Sequence, residues 1–284
     1  MVLPSLCPTQ RLHSKPLIPK GFGGFFISQT DGNRPDAIFG VYLPVMQTIY
    51  ANIQKARSQR QKLLAILLDP DKIARESLET TLAKINQSPA THLLIGGSEV
   101  RDADIDGLIV HIRRACRLPV ILFPGHPSQI SSHADGILLL SLLSGRNPDF
   151  LIGHHVQAAP VLQKSALEII PTGYLLIESG RPTAVQRVSR TQPIDSANIG
   201  TVVATALAGQ MLGHKLIYLE AGSGADHAVG SAVISAVASV LDIPLIVGGG
   251  IRSRDGIEAA FASGADMVVI GTAFEKDPDF FDWH

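Results

Sequence analysis

The sequence predicts an α/β protein built as a barrel of eight parallel strands, with helices between most of the strands. Eight apolar runs follow one another between residues 63 and 271, and helical stretches occupy six of the seven gaps between them. The runs are apolar throughout, as is typical of parallel strands covered on both faces. The remaining gap, residues 126–135, leaves room for about one turn of helix. The predicted fold class is therefore a (β/α)8 TIM barrel whose third helix is replaced by a short segment.

Each predicted strand is a short apolar run that stops at glycine or at polar residues. The strands are predicted at 63–69, 92–97, 119–125, 136–143, 174–180, 215–222, 244–250 and 266–271. Helices are predicted at 74–86, 104–116, 149–163, 199–212, 228–241 and 254–264, and an amphipathic helix precedes the first strand. An open doubly wound sheet is the alternative. It is disfavoured because no Gly-x-Gly-x-x-Gly pattern follows the first strand.

The first 45 residues differ from the rest of the chain. They carry glycines and aromatic residues without a helical or strand period, whereas from Met46 onward the periodic pattern begins. Residues 1–45 are therefore predicted to be an N-terminal extension that is flexible or not native. Residues 46–284 are predicted to form the barrel domain. The other interpretation of residues 1–45 is an ordered arm that packs on the barrel.

Composition excludes several classes of function. The formal net charge is −1, so no basic surface indicates a nucleic-acid partner. No apolar stretch is long enough to span a bilayer. The two cysteines, Cys7 and Cys116, have no metal or redox spacing, which favours a reducing compartment and a cytoplasmic enzyme.

Glycines at the ends of the last two strands predict a phosphate site. The seventh strand ends in GGGIR and the eighth in GTA. Loops after these two strands form the usual phosphate site of such barrels, because glycine lets backbone N–H groups approach a ligand closely. Gly249, Gly250, Gly271 and Thr272 are the candidates. The plainer interpretation is that these glycines only make tight turns.

Three polar residues stand where strands are predicted to end. Asp69 follows the first strand and Ser98 follows the second, so both could reach one Mg²⁺ ion at the barrel mouth. Glu220 lies in the otherwise apolar stretch YLEAG, where a carboxylate suggests a general base or a stabiliser of positive charge. The structural alternatives are turn residues for the first two and a buried partner of an arginine, such as Arg252, for Glu220.

Together these stretches resemble the geranylgeranylglyceryl phosphate synthase family, in its longer archaeal and bacterial branch. The resemblance covers about Met46 to Pro278 and is strongest in YLEAGSGA, followed at the expected distance by GGGIR and a GTA loop. The motifs that carry it are D69PDK, G96GS, T172GYLLI, S179GRPT, Y218LEAGSGA, V247GGGIR and G271TAFEKDP. The family fold is a barrel with a short segment in place of the third helix, in agreement with the gap at 126–135.

The resemblance implies prenyl transfer from an isoprenyl diphosphate to sn-glycerol 1-phosphate, giving an ether and free diphosphate, with Mg²⁺ as cofactor. It implies that Asp69 and Ser98 hold the metal and that Glu220 lies near the reacting hydroxyl. The implied substrate-binding residues are Tyr218, Leu219, Glu220, Ala221, Gly222, Ser223, Gly224, Gly249, Gly250, Gly271 and Thr272. Leu142, Leu143, Tyr174 and the segment 179–188 are candidates for an apolar groove around the prenyl chain. The family also implies a homo-oligomer, dimer or hexamer, and a product that partitions into membranes.

Two other functions fit part of the pattern. A different phosphate-binding barrel enzyme, such as an isomerase or synthase, would need an acid–base pair at strand ends and no metal. A non-catalytic barrel that kept only the phosphate cradle would need none of these side chains. The joint presence of Asp69, Ser98 and Glu220 favours the prenyltransferase over both.

Overall fold

The computed structural model describes residues 48–73, 75–97 and 104–282, and it forms a closed barrel. The strands pair in parallel in sequence order, and the eighth returns to the first. They are β1 (Leu63–Leu68), β2 (His92–Ile95), β3 (Val120–Leu122), β4 (Gly136–Leu142), β5 (Glu168–Leu176), β6 (Leu216–Glu220), β7 (Leu245–Gly248) and β8 (Met267–Ile270). The predicted fold class is confirmed. The predicted extension, residues 1–45, lies outside the described residues.

Helices cover the outside of the barrel. They are α1 (Ile49–Ser58), α2 (Leu78–Gln87), α3 (Ile105–Ala115), α4 (His154–Leu162), α5 (Ala184–Ser189), α6 (Ile199–Met211), α7 (Ser231–Ala238), α8 (Arg254–Ala262) and α9 (Thr272–Lys276). Between β3 and β4 the chain makes only a 3₁₀ turn, Pro127–Gln129, which confirms the predicted loss of the third helix. Among the residues described, no helix is both long and apolar enough to cross a bilayer.

The fifth strand departs from its predicted bounds. It begins at Glu168 rather than at residue 174 and ends at Leu176. Pro171 and Gly173 interrupt the apolar run, which hides the first half of the strand from the sequence pattern. Pro171 has no N–H to donate, but its carbonyl still takes part in the sheet and accepts a hydrogen bond from the backbone N–H of Lys215 at 2.8 Å. The residues predicted to end this strand instead enter a loop that leads to α5, a helix that the sequence did not predict.

Alternation along the strands decides which side chains reach the barrel interior. Tyr174 and Tyr218 belong to the interior cluster, together with Leu216, Ile246 and similar residues, whereas Leu219 belongs to the cluster between strands and helices. Because successive strand residues point to opposite faces, Glu220 faces inward with Tyr218. Its register neighbours are Leu176 on β5 and Gly248 on β7. The bare position at Gly248 leaves room for the Tyr218 ring, whose hydroxyl would lie 2.2 Å from a Cβ there.

Helix α1 covers the N-terminal end of the barrel. Ile49, Ile53 and Ala56 lie on one face at helical spacing and join the interior cluster. The buried carboxylate of Glu168 accepts hydrogen bonds from the backbone N–H groups of Ile49 at 2.7 Å and Tyr50 at 2.9 Å. It thereby satisfies N–H groups that a helix start leaves without partners. The opposite, C-terminal end of the barrel carries the loops described next.

His92 makes folding stability sensitive to acid. It is the first residue of β2, and burial lowers the pKa of its imidazole from 6.5 to about 4. In the unfolded chain His92 binds a proton below pH 6.5, whereas in the folded protein it stays neutral down to about pH 4. The free energy of unfolding that its neutral form contributes is therefore fully present above pH 6.5 and is lost as pH falls toward 4. We expect a loss of up to about 3 kcal/mol over that range. Urea unfolding at pH 7 and pH 4.5 measures it, with His92→Gln as the control. Equal pH dependence in both proteins would contradict the assignment.

Candidate active site

A cavity of about 690 Å³ opens at the C-terminal end of the barrel. Its wall contains both acidic and cationic side chains and the backbone of several glycines. Lys72, Arg181, Arg187 and Arg252 are the cationic residues of the wall. Asp69, Asp71, Glu220 and Glu275 are the acidic ones. The formal charges of these side chains balance, so the backbone amides of the glycine-rich loops are the part of the wall that favours an anionic ligand.

Glu220 lies at the base of this cavity. Its side chain is 5% exposed, and Oε1 accepts a hydrogen bond from the backbone N–H of Gly222 at 2.6 Å. Burial raises the pKa of its carboxyl group from 4.5 to about 7, although the Gly222 N–H acts in the opposite direction. A carboxyl group with a pKa near neutrality can accept a proton from a substrate hydroxyl and release it again.

The phosphate candidates lie together on the same side of the cavity. Gly249 and Gly250 follow β7 with φ angles of +79° and +69°, and Gly271 and Thr272 follow β8. The Thr272 hydroxyl lies 3.3 Å from the hydroxyl of Ser223, which joins the loop after β8 to the loop after β6. The predicted grouping of these loops around one space is thus present in the fold.

Tyr218 is the other inward side chain of β6. Its ring is fully buried, and its hydroxyl makes no hydrogen bond of normal geometry within the described part of the chain, although the Glu220 carboxylate is close enough to interact with it. Burial, followed by the nearby Glu220, raises the pKa of this phenol well above 10, so the hydroxyl keeps its proton. An unpaired buried donor is costly, and a polar ligand in the cavity would satisfy it.

Asp69 stands at the mouth of the cavity after β1. Its Oδ2 forms an ion pair with Lys72 Nζ at 2.9 Å, and Lys72 also pairs with Glu275 at 3.3 Å. Glu275 in turn accepts a hydrogen bond from the backbone N–H of Asp69 at 3.2 Å. The carboxylate already holds a cationic group, and its hard oxygens match the ligand preference of Mg²⁺. Ser98, the other predicted metal ligand, lies outside the described residues.

A second, apolar cavity occupies the place of the missing third helix. Its wall comes from the loop after β3, from β4, from the segment before α4 and from α4 itself. Among the groove candidates, Leu142, Tyr174, Val185 and Val188 line it, whereas Leu143 packs with the outer core. Gly97, Phe123, Tyr174 and Val185 line both cavities, so the two spaces meet at these residues.

Two of the predicted substrate-binding residues do not line either cavity. Leu219 and Ala221 belong to the core between strands and helices, because they alternate with the inward residues of β6. The family motif implies the whole stretch 218–224 as substrate-binding, because a run of consecutive residues does not show which side chains face the barrel interior. The other predicted residues in the described part of the chain line the polar cavity. Phe123, Arg181, Arg187 and Glu275 also line it and were not predicted as site residues. The sequence offered an indication for two of them. Phe123 directly follows the residues of β3, and Glu275 belongs to the short helix that follows β8.

Comparison with known proteins places the chain in a family. The sequence model described as "PcrB family" matches residues 55–282. This chain belongs to the PcrB family. The resemblance noted in the sequence is thereby confirmed, because relatives of this chain are named geranylgeranylglyceryl phosphate synthase.

Two PcrB relatives and one solved structure illustrate the match. The protein from Flavobacterium johnsoniae is 58% identical over 84% of this chain and 98% of its own length. The one from Thermococcus kodakarensis is 42% identical over 77% of this chain and 86% of its own. The crystal structure of (S)-3-O-geranylgeranylglyceryl phosphate synthase from Thermoplasma acidophilum, in complex with substrate sn-glycerol-1-phosphate, is 33% identical with a TM-score of 0.78. That alignment covers 83% of this chain and 94% of the other.

Proposed function

We propose that this protein is a geranylgeranylglyceryl phosphate synthase, a prenyltransferase that joins sn-glycerol 1-phosphate to geranylgeranyl diphosphate through an ether bond. The observation that carries the proposal is the position of Glu220, in a polar cavity that meets an apolar one. A small phosphorylated acceptor and a lipid donor need two such environments side by side. The relatives of this name, and the one solved with sn-glycerol-1-phosphate, support the same reaction.

The acceptor is held by the loops after β6, β7 and β8. Its phosphate lies against the backbone amides of Gly249, Gly250, Gly271 and Thr272, where no side chain blocks a close approach. Gly222, Ser223 and Gly224 surround the glycerol portion, and the Tyr218 hydroxyl donates a hydrogen bond to it. This places the free hydroxyl of the acceptor beside the carboxylate of Glu220.

The donor extends across both cavities. Its hydrocarbon chain lies in the apolar space beside β4 and α4, and its diphosphate lies near Asp69 in the polar space. Asp69, and Ser98 outside the described residues, would hold Mg²⁺, which neutralises charge on the departing diphosphate when it is bound. Lys72 is free to pair with the diphosphate once its partner carboxylates have another cation to bind.

Glu220 accepts a hydrogen bond from the acceptor hydroxyl and receives its proton as the ether bond forms. Fixing this hydroxyl next to C1 of the donor contributes through positioning, which lowers the entropic part of the barrier. Bound substrates that fill both cavities would leave no room for water beside the activated donor, which water would otherwise hydrolyse.

Product analysis tests the reaction. The full chain would be incubated with Mg²⁺, sn-glycerol 1-phosphate and, in separate reactions, farnesyl, geranylgeranyl or heptaprenyl diphosphate. Mass spectrometry is expected to detect the ether, most abundantly with geranylgeranyl diphosphate, and sn-glycerol 3-phosphate serves as the stereochemical control. Absence of an ether product with every donor would overturn the proposal.

The rate should depend on the ionisation of Glu220. Because burial raises its pKa to about 7, the carboxyl group is protonated and inactive as a base below that pH. We expect kcat/KM, which reports groups of the free enzyme, to fall about tenfold for each pH unit below 7 and to level off above it. The residual rate of Glu220→Gln is the control, since it keeps the titration of the substrate phosphates. A wild-type profile that parallels that of the variant would contradict the assignment.

We further propose a cytoplasmic homo-oligomer, dimer or hexamer. The surface supports association through exposed apolar side chains, Val156 and Val161 on α4 and Met211 at the end of α6, which is 81% exposed. Light scattering of the purified chain would measure the assembly, and a monomer at micromolar concentration would exclude it.

A further inference from the structure

The reacting carbon of the donor can be located from the two cavities. An isoprenyl diphosphate is charged at one end and hydrocarbon at the other, so its C1 atom lies where the polar cavity meets the apolar one. That boundary is formed by Gly97, Phe123, Tyr174 and Val185. This step rests on the proposed function, because only a donor with those two ends must cross the boundary.

Three aromatic rings are gathered at this boundary. The Phe123 ring centroid lies 5.3 Å from that of Tyr218 and 6.0 Å from that of Tyr174, and the two tyrosine rings are 5.4 Å apart. The interplanar angles are 33°, 56° and 41°, so the rings do not stack in parallel. Tyr174 and Tyr218 are register neighbours on β5 and β6, whereas Phe123 follows β3 on the other side of the barrel.

Phe123 packs against the interior cluster of the barrel but is not enclosed by it. Tyr174 and Tyr218 are buried interior residues, but Phe123 is only partly buried and lines both cavities. The residues of β3 that precede it, Val120, Ile121 and Leu122, are fully buried and complete the strand. The ring of Phe123 is therefore available to the contents of the cavities.

We propose that Phe123, supported by Tyr174 and Tyr218, stabilises the positive charge that develops on the allylic carbons of the donor. As the C1–O bond breaks, its electron pair leaves with the diphosphate, and C1 to C3 become electron-deficient. The acceptor hydroxyl oxygen supplies the electron pair of the new C1–O bond, and its proton passes to Glu220. In a site closed to water, the negative faces of aromatic rings attract such a cation.

The rings and the carboxylate have complementary roles. Glu220 lies two residues after Tyr218 on β6 and faces the same interior, so a carboxylate and three rings border one space. The carboxylate acts on the acceptor hydroxyl, while the rings act on the donor.

Fluorination of one ring tests the proposal. Phenylalanine, 4-fluoro-, 3,5-difluoro- and 3,4,5-trifluorophenylalanine would be inserted at position 123 of the full chain, and kcat measured at saturating substrates. Each fluorine reduces the negative electrostatic potential over the face of the ring and changes the size of the side chain little. We expect log kcat to fall linearly with the cation-binding ability of the ring, by about 10- to 30-fold across the series. The dissociation constant of the uncleaved donor analogue geranylgeranyl thiolodiphosphate should change less than twofold.

Substitutions by natural residues supply the controls. Phe123→Leu should lose about tenfold or more in kcat, and Phe123→Tyr should keep wild-type activity. A flat fluorine series in an active enzyme would overturn this role of Phe123 and leave the prenyltransferase intact. A wild-type enzyme that forms no ether would overturn both.

Discussion

Replacing Glu220 by Gln is expected to lower kcat about a thousandfold while the protein stays folded. The amide keeps an oxygen that can accept the hydrogen bond from Gly222, but it cannot receive the proton of the acceptor hydroxyl. The free energy of unfolding, unlike kcat, should increase in the variant above pH 7. Burial raises the pKa of Glu220 to about 7, so the stability that its neutral form contributes is present below pH 4.5 and lost as pH rises through 7.

The variant should therefore be more stable than wild type above pH 7, by up to about 3 kcal/mol. Steady-state kinetics and urea unfolding at pH 8 measure the two effects on the same samples. Glu178→Gln is a matched control, because Glu178 accepts a hydrogen bond from the N–H of Gly180 in the same two-residue pattern but is exposed. It should leave both quantities unchanged. Unchanged turnover of Glu220→Gln would remove Glu220 from the mechanism.

Gly249→Ala is expected to reduce kcat/KM for the acceptor at least about a hundredfold. A Cβ at this position would lie 2.2 Å from Oε1 of Glu220 and 2.6 Å from the backbone nitrogen of Gly222. The catalytic carboxylate and the amides of the phosphate site would both have to move. Kinetics with varied sn-glycerol 1-phosphate, together with isothermal titration of the acceptor, measure the loss.

Backbone strain alone does not account for such a loss, and a second glycine separates the two causes. Gly213 has a φ of +93°, comparable to the +79° of Gly249, but a Cβ there would meet nothing within 4 Å. Gly213→Ala should cost about 1–2 kcal/mol of stability through φ strain and leave the kinetics unchanged. If both variants lost activity equally, the cause would be general destabilisation rather than crowding of the site.

Much of this architecture could be predicted from the sequence because the strands are apolar and punctuated by glycine. The eight strands, the missing third helix and the position of Glu220 all follow from that pattern. The same uniformity hides which face of each strand points inward, since both faces are buried. This is why Leu219 and Ala221 were grouped with Tyr218 and Glu220, although they lie on the opposite face of the strand.

Other features depend on contacts that no local pattern encodes. The first half of β5 was missed because Pro171 and Gly173 break its apolar run, and only pairing with β4 and β6 makes it a strand. Phe123 gains its significance from Tyr174 and Tyr218, which are distant in sequence and meet it only in the closed barrel. The ion pair of Lys72 with Glu275 likewise joins the loop after the first strand to α9, the helix that follows the last strand.

With a short turn in place of the third helix, the barrel has an apolar cavity on one side and a polar cavity on the other. Residues from the loop after β3, from β4 and from α4 line the apolar space, whereas the loops after β6, β7 and β8 carry the backbone proposed to bind phosphate. Apart from Gly97, Phe123, Tyr174 and Val185, the two cavities have no wall residue in common among those that the structure describes. Substitutions in α4 would therefore change the length of lipid that fits while the loops that hold the polar acceptor stay the same. Replacing α4 is accordingly the natural starting point for engineering donor length.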